Sequence, residues 1–205
     1  MKGAAKIISY LFHPLFVPVY MLGITLFLPV YALNRYGTEL KMYMLAFIFL
    51  LDVLLPLISL SFMKRYKIIG SMQLENARER TIPYVLMFFL YSLTAWSLGD
   101  MAGMHPIIPI AFVMSALIIV VVNFANRYFK VSAHSAAMAA ATTWFYLIFK
   151  AFAIDTSLLL MIAVVLTGLV MSSRLAMGAH SPREVYWGAA IGAAVPLVLG
   201  AIVIG

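Results

Sequence analysis

No cysteine occurs anywhere in the 205 residues, which excludes a disulfide framework, a thiolate nucleophile and any cysteine-ligated metal. Charge is scarce as well: Asp, Glu, Lys and Arg make up 10% of the chain, against about a quarter in an ordinary soluble domain. Hydrophobic residues account for 65% and mean hydropathy is +1.04, so too few polar side chains remain to cover a surface facing water. A bilayer removes that requirement, because lipid solvates apolar side chains while a helix satisfies its own backbone. Acids are scarcest, seven against fourteen Lys and Arg, for a formal net charge of +7. The cations sit in short stretches between apolar segments. With no basic run and no basic patch interleaved with aromatics, they argue against nucleic acid as a partner and fit the positive-inside tendency and an anionic substrate.

What is present is a succession of apolar segments. A crossing needs roughly 20 apolar residues, and seven stretches qualify: Ile8 to Leu33, Met42 to Met63, Ile82 to Leu98, Pro106 to Asn123, His134 to Phe152, Ser157 to Ser172 and Val185 to Ile204. Lys2 and Lys6 precede the first, but no small-residue cleavage site follows, so Met1 to Tyr10 reads as the flank of that span. Pro14, Pro18 and Pro29 can each kink or end a helix, which leaves six true spans as the alternative count. The expected fold is an all-α polytopic transmembrane helix bundle of six or seven spans. It is read as a single integral membrane domain over 1–205, with N-terminal spans at 1–63 and a core at 64–205. Ala136, Ala137, Ala139 and Ala140 in one span, and the GxxxG pair Gly188 and Gly192 in another, predict close helix packing.

Alternating seven spans puts three loops on one membrane face, and these hold nearly all the unusual polar residues. In the loop 173–184, Arg174 precedes His180 by six residues and Glu184 follows it by one helical turn. A carboxylate at i+4 can fix one imidazole nitrogen and leave the other as base or nucleophile. Ser181, Pro182 and Glu184 also read as a capping box, and Glu184 can serve both ends. In the loop 124–133, Ser132 or Ala133 starts a helix, with His134 beside it; free N–H groups at a helix start attract phosphate, while an interfacial histidine is the plain alternative. In the loop 64–81, Arg78 and Arg80 precede a span, either anchoring it or gripping phosphate oxygens with their planar forks.

Together these residues resemble the type 2 phosphatidic acid phosphatase family, which shares its site with vanadium haloperoxidases. Its third motif, Ser-Arg-x5-His-x3-Asp, is matched by Ser173, Arg174, His180 and Glu184, with Glu for Asp. Its second, Pro-Ser-Gly-His, is matched by Ser132, Ala133 and His134, with Val131 for Pro and Ala for Gly. The first, Lys-x6-Arg-Pro, is degraded: Arg80 stands for the arginine, Pro83 lies three residues on, and Gln73 occupies the lysine's place. The resemblance runs from about Gln73 to the C-terminus.

It implies metal-independent hydrolysis of a phosphomonoester or pyrophosphate of a lipid, without a cofactor. His180 would attack phosphorus, Glu184 would orient it, and His134 would protonate the leaving alcohol and later activate water. Arg174, Arg80, Arg78, Ser132 and the backbone at Ala133 would hold the oxygens. The implied partners are a phosphorylated lipid and the lipids of the cell's inner membrane. A catalytically inactive lipid-phosphate binder and a small transporter are the competing readings, the first prompted by Gln73 and Glu184. Loop charge puts eleven of the fourteen cations on the motif-bearing face, which points to the cytoplasm, whereas family members commonly face outward. Elsewhere, Asp52 sits mid-span and reads as a neutral, hydrogen-bonded acid or a functional group. His13, beside Pro14, reads as an interfacial histidine or as part of the substrate entrance. His105 and Asp100 fall on the opposite face and carry no assignment.

Overall fold

The computed structural model describes residues 2–72, 74 and 76–203, with the backbone alone at Lys2, Ala77 and Arg78. Every regular element among them is helical. In chain order they are α1 (Lys2–Leu11), α2 (Val17–Phe27), α3 (Tyr31–Asn34), α4 (Thr38–Phe49), a π-helical turn (Leu50–Leu54), α5 (Leu55–Arg65), a 3-10 turn (Ala77–Arg80), α6 (Thr81–Gly99), α7 (Ile107–Ala125), α8 (Ala133–Phe152), α9 (Ser157–Ala176) and α10 (Pro182–Val203). They form two units. One comprises residues 1–36 and 131–205, the other residues 37–130.

Among the described residues, five helices are long and apolar enough to cross a membrane: Thr38–Arg65, Thr81–Gly99, Ile107–Ala125, Ser157–Ala176 and Pro182–Val203. That is fewer than the six or seven expected, for two local reasons. The proline-bearing first segment is broken, with α1 ending at Leu11 and α2 only 11 residues long, so neither piece reaches a crossing length. The second is α8. It is 20 residues long but carries His134, Ser135, Thr142, Thr143 and Lys150, which lower its hydropathy.

In the 37–130 unit, α4 and α5 run on as one 28-residue helix through the π turn. Pro56 explains that turn: its ring meets the carbonyl four residues back, at Asp52, and a wider turn relieves the clash. Leu55 N–H accordingly donates to the Leu50 carbonyl, five residues earlier. Asp52 points inward from this turn, fully buried, and accepts a hydrogen bond from Thr94 Oγ1 on α6 at 3.1 Å.

In the other unit, α8 is the hub. It packs on α2, α9 and α10, and α1 packs on α9. Side-chain hydrogen bonds tie these seams, as suits helices in lipid, where packing and interhelical hydrogen bonds replace the hydrophobic drive. Trp144 Nε1 donates to Thr25 Oγ1 on α2 at 2.9 Å, Thr142 and Thr167 share a hydrogen bond at 2.9 Å between α8 and α9, and Ser9 and Ser173 share one at 3.0 Å between α1 and α9.

The α8–α10 seam is closer still. A Cβ on Gly188 would strike the Ser132 carbonyl oxygen, and one on Gly192 would strike the Ala136 carbonyl oxygen, with the Ala136 carbonyl carbon and Cα at 2.8 Å. The two glycines therefore permit backbone-to-backbone contact with the first turn of α8.

Gly192→Ala is expected to lower the thermal midpoint in detergent by the equivalent of about 1–3 kcal/mol, since backbone atoms must shift to admit the methyl. Gly168→Ala, where nothing lies within 4 Å, is the control and should be neutral or slightly stabilising.

Candidate functional site

The loop that carries Arg174 and His180 is shaped by one helix ending and another beginning. The last turn of α9 closes with Gly178 N–H donating to the Leu175 carbonyl at 2.9 Å and Ala179 N–H to the Arg174 carbonyl at 3.1 Å. Gly178, at φ 66°, takes the left-handed conformation this stop requires, which glycine adopts without a Cβ clash. Four residues later, at Pro182, α10 starts. Glu184 N–H donates to Ser181 Oγ at 3.4 Å, and Ser181 N–H donates to Glu184 Oε2 at 3.3 Å. This is the reciprocal capping box, with Pro182 as the first helical residue. The spacing from Arg174 to His180 to Glu184 is thus a helix stop, a histidine and a helix start in succession.

Glu184 also holds the histidine. Its Oε2 lies 2.7 Å from His180 Nδ1, with the side chains 23% and 3% exposed. The carboxylate oxygen accepts, so Nδ1 carries the proton and Nε2 keeps the lone pair. The extra methylene of Glu relative to Asp does not cost the contact, because Glu184 sits at the third residue of α10 and curls back over the turn.

His134 is held from a different direction. Ser132, fully buried, caps α8: its Oγ accepts from Ser135 N–H at 3.4 Å and from Ser135 Oγ at 3.0 Å. Ser132 N–H in turn donates to the Glu184 carbonyl at 3.1 Å, tying the start of α8 to the start of α10. Ala133 opens the helix with a negative φ, so nothing there requires glycine. His134 Nε2 donates to the Ser9 carbonyl on α1 at 3.1 Å, which leaves the lone pair on Nδ1. Arg174, His13 and His180 all lie near enough for their charges to act on His134.

His13, which the sequence offers as an interfacial histidine or as part of the substrate entrance, belongs to this cluster. It lies in the connector between α1 and α2, its ring edge-on to His134 with centroids 5.2 Å apart. Burial, and next the positive charge of Arg174, hold its pKa down at about 4. Ser9 and Ser173 were not singled out beyond the motif serine; the signal was their small polar side chains facing one another in apolar helices.

Arg80 belongs to the other unit. It is buried at the head of α6, and its Nε donates to the Leu74 carbonyl at 2.8 Å. Glu79 Oε2 accepts from Gly70 N–H at 2.8 Å, which folds the segment before Arg80 back on itself. Because Ala77–Arg80 is a 3-10 turn, Arg78 and Arg80 are not on an α-helical face, but the Arg78 side chain and all of Gln73 lie outside the described residues.

The class these observations define is an all-helical membrane protein with a cationic, histidine-centred site at the ends of its helices. The chain belongs to the PAP2 superfamily, whose family model matches residues 7–203. The match takes in the second half of α1 and all of α2 as well as the motif-bearing helices. No curated protein and no solved structure matches the chain.

The double use of Glu184 is separable. Glu184→Ala should cost about 1 kcal/mol of stability through the lost cap, and its imidazole ¹⁵N spectrum should show His180 as mixed tautomers. Glu184→Gln, which can still cap, should keep most of the stability while perturbing the same spectrum.

The pH dependence of stability follows from His13. An unfolded histidine gains its proton near pH 6.5, whereas the folded ring does so near 4, so acidification between these values favours the unfolded chain. Stability should therefore be full above about pH 6.5 and fall by up to about 3 kcal/mol toward pH 4. His13→Asn should flatten that slope in thermal unfolding measured in detergent.

Proposed function

We propose that the protein is a membrane phosphohydrolase that cleaves a lipid phosphomonoester or pyrophosphate through a phosphohistidine on His180. The observation that carries this reading is the 2.7 Å contact between His180 Nδ1 and Glu184, which leaves Nε2 as a nucleophile of fixed tautomer. The phosphatase character of the superfamily supports the same reaction class.

In the proposed reaction, His180 Nε2 forms a bond to phosphorus as the bond to the leaving oxygen breaks. Glu184 stabilises the positive imidazole that results. His134 gives a proton to the leaving oxygen, then takes one from the water that attacks the phosphohistidine, and phosphate departs with His180 restored. At rest the His134 Nε2 proton is committed to the Ser9 carbonyl, so a substrate oxygen must displace that carbonyl or approach Nδ1. A phosphate dianion favours a second proton on this ring, because its charge offsets that of Arg174.

Arg174 and the α8 N-terminus at Ser132 and Ala133 are proposed to hold the phosphate oxygens. The lipid is proposed to enter from the inner membrane, with α8 as a sixth crossing shielded by its neighbours. The chemistry fits any lipid phosphate that can reach the site.

Short-chain phosphatidate in detergent tests the reaction. His180→Ala should abolish phosphate release, by about 10³-fold or more as for loss of a covalent nucleophile, without lowering the thermal midpoint. Normal release from that variant would overturn the mechanism. Wild-type turnover should persist in EDTA, because the cluster is cationic and offers one carboxylate where Mg²⁺ or Ca²⁺ wants several oxygens. Loss in EDTA that Mg²⁺ restores would count against it equally.

A further inference from the structure

The connector between α1 and α2 places an imidazole in the cluster that the proposed reaction does not use. His13 sits where α1, packed on the Arg174-bearing α9, passes into α2, packed on the His134-bearing α8. Pro14 and Pro18 break the helix there, and the chain closes the turn with Phe16 N–H donating to the His13 carbonyl at 2.8 Å. The ring is orientated by two contacts. Leu15 N–H donates to Nδ1 at 3.3 Å, which fixes the proton on Nε2, and the ring stands at 85° against His134. The Nε2–H has no hydrogen-bond partner among the described residues. The charge of Arg174 acts on both His13 and His134, those of His13 and His180 act on His134 as well, and the carboxylate of Glu184 is engaged by His180. A cluster of one guanidinium and three imidazoles, with a donor left over and its carboxylate engaged by His180, favours an anion.

We propose that His13 is a phosphate-contacting residue, its Nε2–H donating to an oxygen of the anion that Arg174 holds beside His134. This deepens the phosphatase reading and rests on it, since the anion is taken to be the substrate phosphate. The bond forms between a donor that burial keeps neutral and a charged oxygen, so it strengthens with the charge on the phosphate. His13 therefore favours a phosphomonoester dianion over a singly charged diester.

Two substitutions separate contact from mere packing, because each amide copies one ring nitrogen. His13→Asn puts an oxygen where Nδ1 accepts from Leu15 and removes the Nε2–H; His13→Gln carries its N–H out to the Nε2 position. Binding of orthovanadate to the full-length protein in detergent, by equilibrium dialysis, is the measurement, with thermal midpoints and phosphatidate KM alongside. His13→Asn should keep the wild-type midpoint yet bind vanadate about tenfold or more weakly, with KM raised in step and kcat changed less. His13→Gln should bind within about threefold of wild type. Equal vanadate binding by wild type and His13→Asn, or a loss confined to His13→Gln, would overturn the proposal and leave the phosphatase reading standing. Tenfold weaker binding by His13→Asn in a protein that releases no phosphate would uphold the anion contact and sink the phosphatase reading. A wild-type protein that binds no vanadate would sink both.

Discussion

The approach of α10 to the first turn of α8 is the contact on which the site depends. With hydrogen in place of side chains at Gly188 and Gly192, the α10 backbone reaches the carbonyls of Ser132 and Ala136. Only at that separation can Ser132 N–H bond the Glu184 carbonyl. Glu184 is in turn the residue that caps α10 and grips His180. The histidine of one helix start and the histidine of another are therefore spaced by a backbone contact, which is far stiffer than a contact between long side chains. Lipid provides no hydrophobic force to press these helices together, so dispersion at close range and the side-chain hydrogen bonds at Thr142–Thr167 and Trp144–Thr25 must hold them.

The sequence disclosed the parts of this arrangement that are local. The capping box at Ser181, Pro182 and Glu184 is legible because its residues lie within one turn, and the Gly pair because its period is that of a helix. The double role of Glu184 followed from the same short spacing. The helical class followed from composition. The count of spans did not, since it depends on whether Pro14 and Pro18 merely bend a helix or end it, and on how much polarity a helix tolerates when neighbours cover it. Here the prolines end α1 and shorten α2, and α8 carries hydroxyls that its partners bury and a histidine that they half bury.

His13 shows where such reading stops. Nothing within ten residues of it identifies its neighbours, because they arrive from α8 and α9, more than a hundred residues on. Its partners are fixed by which helices pack together, and that is decided by side-chain fit along whole seams. Arg174 and His180 were recognisable by their spacing. His13 has no such spacing, and its position follows from a break in the helix whose cause, proline, is visible but whose direction is not.

The hold that α1 has on His134 runs through the main-chain oxygen of Ser9, whereas the Ser9 hydroxyl faces Ser173. One residue thereby meets two different kinds of evolutionary constraint. Exchange of its side chain perturbs the seam with α9 but cannot delete the acceptor, which every amino acid supplies. The orientation of the imidazole is consequently sensitive to the register of α1, so a single-residue slip along that helix would alter it more than most substitutions at position 9 could.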